Sequence, residues 1–172
     1  MPIFKRFGAG QTIVAMRVSF VLFVAYLLVL IKLLFFKVRL AFSSLDISRT
    51  QSASVKEVYK EANFVPFRSI RHYASRHEAY LVGVLNIVGN VLLFLPMGYF
   101  LPLFFKRINS APRLAAVVAL TSLFVEVTQL LTKTGQFDID DVILNTVGGV
   151  IGYFIFTATK QWFNDNKKPR KR

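Results

Sequence analysis

Asn86 and Asn90 stand four residues apart, Glu126 and Gln129 three apart, and Asp141, Asn145, Gly148 and Gly152 follow one another at steps of four, three and four. Each spacing keeps its members on one face of a helix. Asp138 and Asp140 sit just before Asp141. These carboxylates and carboxamides suit hydrogen-bonded binding, acid/base work or ligation of a hard cation. Nucleophilic chemistry is poorly provided for: there is no cysteine, and no Ser–His or Lys dyad or phosphate-cradling loop stands out. His72 and His77 are the only histidines, and a spacing of five puts them on different helix faces, so a His-based metal site is not expected.

The residues that must position these groups are overwhelmingly apolar. Of 172 residues 54% are hydrophobic and 18 are Phe, with a mean hydropathy of +0.49, more apolar surface than a water-soluble fold of this size can cover. The expected fold class is all-α: a polytopic membrane protein with a bundle of four transmembrane helices and a long loop between the first and second. The organisation reads as an N-terminus over 1–17, a first span over 18–36, a loop over 37–78, a core of three spans over 79–159, and a basic tail over 160–172. Within the core the spans are expected at 79–105, 114–131 and 142–159. The first is read as an uncleaved helix, because no small-residue cleavage site follows it, and Lys32 near its end can extend to the headgroups. Pro96 and Pro102 predict a kink or a frayed end in the second, and these prolines are expected to shape backbone only.

Lys and Arg number 22 against nine Asp and Glu, a net charge of +13, and they collect between and beyond the apolar segments. That distribution points to topology and lipid rather than nucleic acid. Three basic residues in the N-terminus, three in the loop after the second span and six from Lys160 onward predict that both termini are cytoplasmic. The basic tail would then face an anionic leaflet.

Short connections make neighbouring spans antiparallel, so the polar faces of the second, third and fourth spans converge on one side of the membrane, the outer side by the charge count. The long loop, with its apolar island Asn63-Phe64-Val65-Pro66-Phe67, lies there too. Simpler roles compete with a binding site: asparagines tie helices together, glycines allow close packing, and Asp138 or Asp140 can cap the fourth helix. Packing is the preferred role for Gly148, Gly149 and Gly152. Glu126 and Asp141 point more strongly to function, since carboxylates gathered at a membrane face repel unless a proton, a cation or a basic partner intervenes; Arg68, Arg71 and Arg76 are the candidate partners.

Four stretches, in this order, carry a resemblance. They are Asn63-Phe64-Val65-Pro66-Phe67; Asn86-Ile87-Val88-Gly89-Asn90 continuing to Pro96-Met97-Gly98; Glu126-Val127-Thr128-Gln129; and Gly135-Gln136-Phe137-Asp138-Ile139-Asp140-Asp141 continuing to Asn145 and Gly148-Gly149. Together they resemble the VanZ-like family over about residues 60–155. One departure is Gln136, where that family usually has an arginine; it removes a fixed cation beside the aspartates. The resemblance implies a bacterial cytoplasmic-membrane protein, in a family named for low-level resistance to glycopeptide antibiotics of the teicoplanin type, and it does not fix a substrate.

Two functions are weighed. The first is non-catalytic binding of an envelope lipid or lipid-linked ligand in an outward polar cleft, with no cofactor. Asn86, Asn90, Glu126, Gln129, Asp141 and Asn145 would line it from the spans. Asn63, Pro66 and Phe67 would do so from the loop, and Asp138 and Asp140 from the start of the fourth span. The partners expected are membrane lipid, a lipid-linked cell-wall precursor or the acyl tail of a lipoglycopeptide, and no nucleic acid. The second is an intramembrane hydrolase or transferase acting on an envelope lipid. Glu126 would be its general base and Asp140 or Asp141 would orient water or hold a divalent cation, Mg²⁺ or Ca²⁺ rather than zinc. A transporter is disfavoured by only four spans per chain.

Overall fold

The computed structural model describes residues 9–41, 62–75, 80–132 and 135–165. Five helices run through them: α1 (Ala9–Ala41), α2 (Arg68–Ser75), α3 (Tyr80–Phe104), α4 (Ala111–Thr132) and α5 (Ile139–Asp165). Four are long and apolar enough to cross a membrane, over Ile13–Leu33, Gly83–Phe104, Ala111–Thr132 and Ile139–Asp165. The expected all-α bundle of four spans is therefore what the chain forms.

The differences lie at the ends of the helices and in the loop. The fourth helix begins at Ile139 rather than 142, because the Asp138 carboxylate accepts the Asp140 N–H at 2.9 Å in the N-cap position and so carries the helix back over the acidic run. α3 runs through Pro96 and ends at Phe104, two residues beyond Pro102. Of the segment read as a loop over 37–78, residues 37–41 continue α1 and residues 68–75 form α2; residues 42–61 and 76–79 lie outside the described residues, Arg76 and His77 among them, as do residues 1–8 and the basic tail from 166.

α3 and α5 make the most extensive contact, lying parallel with backbone nearly on backbone. A Cβ at Gly148 would overlap the Val91 carbonyl, one at Gly152 the Leu95 carbonyl, and one at Gly98 the Gly149 carbonyl. In lipid, where apolar side chains gain little by leaving one hydrocarbon environment for another, such close approach is the main source of helix association. The packing role expected of these glycines is therefore what they perform. α4 runs antiparallel to α5, with Val118 packed over Gly149 and Ser122 bonded to Asn145. α1 lies antiparallel to α3 through Phe20–Phe104 and Phe23–Phe100, with ring centroids 5.7 and 5.5 Å apart, and through a 2.7 Å bond from the Tyr26 hydroxyl to the Leu93 carbonyl. Phe94, Leu114 and Val118 are fully buried at the centre.

Candidate functional site

The parallel register of α3 and α5, with α4 reversed, carries Asn86 and Asn90, Glu126 and Gln129, and Asp140, Asp141 and Asn145 to the same end of the bundle. The segment preceding α2 is laid across that end. Asn63 forms an isolated parallel bridge with Asp138: its N–H donates to the Phe137 carbonyl at 2.8 Å, and its carbonyl accepts from Ile139 at 3.0 Å. The Phe64 ring stacks on Phe137 at 4.8 Å. Side chains complete the strap, as Asn63 Nδ2 and the Ser69 hydroxyl donate to Asp138 at 2.8 and 2.6 Å. The Asp138 N–H donates in turn to Glu126 Oε2 at 3.0 Å, joining α4 to the same junction.

Asp140 does something its sequence position does not announce. Its side chain, 1% exposed, leaves α5 and caps α2, accepting the N–H groups of Phe67, Ser69 (2.8 Å) and Ile70 (3.3 Å). A helix start leaves backbone donors unpaired, and a carboxylate there satisfies them while complementing the helix dipole. Phe67 is held with φ at +64°, a left-handed conformation costing a side-chain-bearing residue about 1 kcal/mol. The Asp140 bond to its N–H and the turn in which Asn63 Oδ1 accepts from Val65 at 3.1 Å hold it there.

Deeper in the bundle, Asn86 Nδ2 (3.2 Å) and Asn90 Nδ2 both donate to Asp141 Oδ1. Asn145 Nδ2 donates to Ser122 Oγ at 2.8 Å, whereas the buried Asn145 Oδ1 has no hydrogen-bond partner among the described residues. Gln129 is buried beside Gly135. Tyr73 of α2 rests where a Cβ on Gly83 would be. Burial pushes its phenol above the ordinary tyrosine value, and the charges of Asp138 and Asp141 push it further the same way.

The structure thus brings together Asn63, Asn86, Asn90, Glu126, Gln129, Asp138, Asp140, Asp141 and Asn145. Pro66 and Phe67 belong to the same strap but expose their side chains to the outside. The donors found on Asp138 and Asp140 are amides and a hydroxyl, and Arg68 and Arg71, expected as counter-charges, are exposed on the outer surface. Among the described residues no group of three or more His, Cys, Asp or Glu is placed to hold a metal ion. Sequence reasoning missed Ser69, Ser122 and Tyr73. Ser122 could have been found, since it precedes Glu126 by four on the same helical face; single polar residues in a loop, such as Ser69, offer no periodic signal.

A family model described as VanZ/LLP1 matches residues 23–161. Protein VanZ of Enterococcus faecium is 38% identical over 85 residues, covering 49% of this chain and 52% of that protein, so the match spans about half the length of each. No solved structure matches the chain significantly. With four membrane-crossing helices and a family match over most of its length, this multi-pass membrane protein belongs to the VanZ/LLP1 family.

Proposed function

We propose that this protein resides in the bacterial cytoplasmic membrane with both termini cytoplasmic, and that its extracytoplasmic end binds an envelope lipid or lipid-linked ligand. Through that ligand it would influence susceptibility to glycopeptide antibiotics of the teicoplanin type. The observation carrying this reading is the strap itself. Asp138 and Asp140 fasten residues 63–75 across the bundle end, so that the side chains of Phe64, Val65 and Phe67, each about half exposed, stand beside a buried ring of amides and carboxylates. An apolar rim next to a polar interior fits an amphiphile with a polar head and an acyl tail.

The carboxylates are engaged in holding backbone and amide donors, which favours a binding and positioning role over proton transfer; Glu126, 3% exposed, holds the Asp138 N–H. The test is capture of a photoreactive lipid-linked cell-wall precursor by the full chain in proteoliposomes. Capture is expected on residues 62–75 and the nearby ends of α3 and α5, weakened by Asn90→Ala and Glu126→Gln. Capture that neither substitution alters counts against the reading.

A further inference from the structure

We propose that the outer face of α2 recognises the phosphate group of an anionic membrane lipid, held by Arg68 and Arg71. This rests on the reading above, that the α2 end meets an envelope lipid, and adds the chemistry by which the headgroup is chosen.

α2 has two functional faces. Ser69 and Tyr73, four apart, turn to the bundle: the Ser69 hydroxyl donates to Asp138, and Tyr73 lies against Gly83. Arg68, Arg71, His72 and Ser75 recur at i, i+3, i+4 and i+7, which is one face of a helix. With Val65 and Pro66 they line an open groove of about 400 Å³. The positive end of the helix is not the anion site, because the Asp140 carboxylate already occupies it. The cationic side chains beside it are what an incoming anion meets. Two guanidinium groups one turn apart present planar forks of N–H donors matched to phosphate oxygens.

The position of the groove selects the source of that phosphate. Ser69 and Asn63 are bonded to Asp138, one residue before the fourth span begins, and Ser75 precedes the start of α3 by five residues. α2 therefore lies level with the ends of the spans, where headgroup phosphates lie. Phe67, 55% exposed, directly precedes Arg68, and Val65, 56% exposed, lines the groove, so surfaces for an acyl chain and for a phosphate adjoin within one turn. The carboxylates of Asp138 and Asp140 keep their charge but are turned onto Asn63, Ser69 and the α2 backbone, whereas Arg68 and Arg71 are exposed on the outer face, so an incoming anion meets the guanidinium groups first.

The full chain in non-ionic detergent is titrated by calorimetry with monomeric dihexanoylphosphatidylglycerol, dihexanoylphosphatidylcholine and inorganic phosphate. Phosphatidylglycerol is expected to bind about tenfold more tightly than either of the others, and Arg68→Gln with Arg71→Gln is expected to lower its affinity by about tenfold, as for a lost charge-assisted bond. Arg113→Gln, at the far end of the bundle, is expected to leave it unchanged. Equal affinity for the two lipids overturns the proposal. So does inorganic phosphate bound as tightly as phosphatidylglycerol, or an unmoved affinity in the double variant. The wild-type comparisons decide the matter even if that variant does not fold. If phosphatidylglycerol fails while the photoreactive precursor is still captured in an Asn90- and Glu126-dependent way, only the headgroup assignment falls. Loss of both overturns the lipid reading itself.

Discussion

At one end of the bundle Phe23, Phe100 and Phe104 pack ring on ring and Tyr99 meets Phe156 edge to face, while at the other end Asp138, Asp140, Asp141 and Glu126 each hold particular donors. Ring packing asks for volume and tolerates sliding; a carboxylate holding three backbone N–H groups does not. The polar end is therefore where the chain fixes one conformation, and it spends that specificity on α2, a segment with little apolar surface of its own to bury. Between the two ends lies the glycine seam of α3 and α5, which sets the register on which both depend.

The largest effect is expected from breaking that seam. Gly148→Ala places a methyl group against the Val91 carbonyl, which is backbone and cannot swing aside. Overpacking of this kind costs about 3 kcal/mol, the upper part of its usual range. Thermal unfolding in detergent should show a large loss, with both ends of the bundle melting together. Gly89→Ala is the control, since a Cβ there meets nothing within 4 Å, and it should leave the transition in place. Equal losses from the two substitutions would show that the seam does not set the register.

A smaller effect should separate the ends. Asp140→Asn removes the charge and one acceptor from the start of α2 while leaving the glycine seam and the aromatic end untouched. A buried donor left unpaired costs about 2 kcal/mol, so the amides of Phe67, Ser69 and Ile70 should exchange hydrogen some thirtyfold faster. Amides near Phe94 and Val118 should keep their protection. Uniform acceleration across the chain would mean that α2 and the bundle unfold as one unit.

The span helices were legible because nothing but a membrane accommodates this many Phe, Leu and Val in runs of about twenty. That Asn86, Glu126 and Asp141 lie toward one end of the bundle was legible as well, since helical spacing gives each face and short connections give the antiparallel order; there Asn86 donates to Asp141, while Glu126 accepts the Asp138 N–H. What could not be read was which carboxylate does what. Asp138, Asp140 and Asp141 lie within four residues, but Asp138 precedes the helix, and Asp140 and Asp141, successive positions on it, point about 100° apart. One therefore caps its own helix, one caps α2, and one takes the two asparagines. α2 escaped notice for a related reason. Its start is stabilised by a side chain 70 or more residues away, a partner that no local window contains.

The smallest expected effect tests whether α2 and the acidic cluster share one electrostatic environment. Tyr73 has its phenol raised above 10.0 first by burial and then by the carboxylates of Asp138 and Asp141. A group whose folded value exceeds its unfolded one holds its proton more tightly in the folded state. Its contribution to the docking of α2 is therefore complete below the unfolded value and declines as pH rises past it. Protection of the α2 amides, taken relative to base-catalysed exchange of an unstructured amide at the same pH, should fall above pH 10 in the wild type, and Tyr73→Phe should flatten that fall while leaving protection at neutral pH nearly unchanged. Asp138→Asn should lower the phenol's titration, read as the Tyr73→Phe difference in ultraviolet absorbance, but only in part, because burial is the larger cause. If Asp138→Asn abolished the shift altogether, charge rather than burial would dominate, and the polar end would be an open electrostatic cluster instead of a packed one.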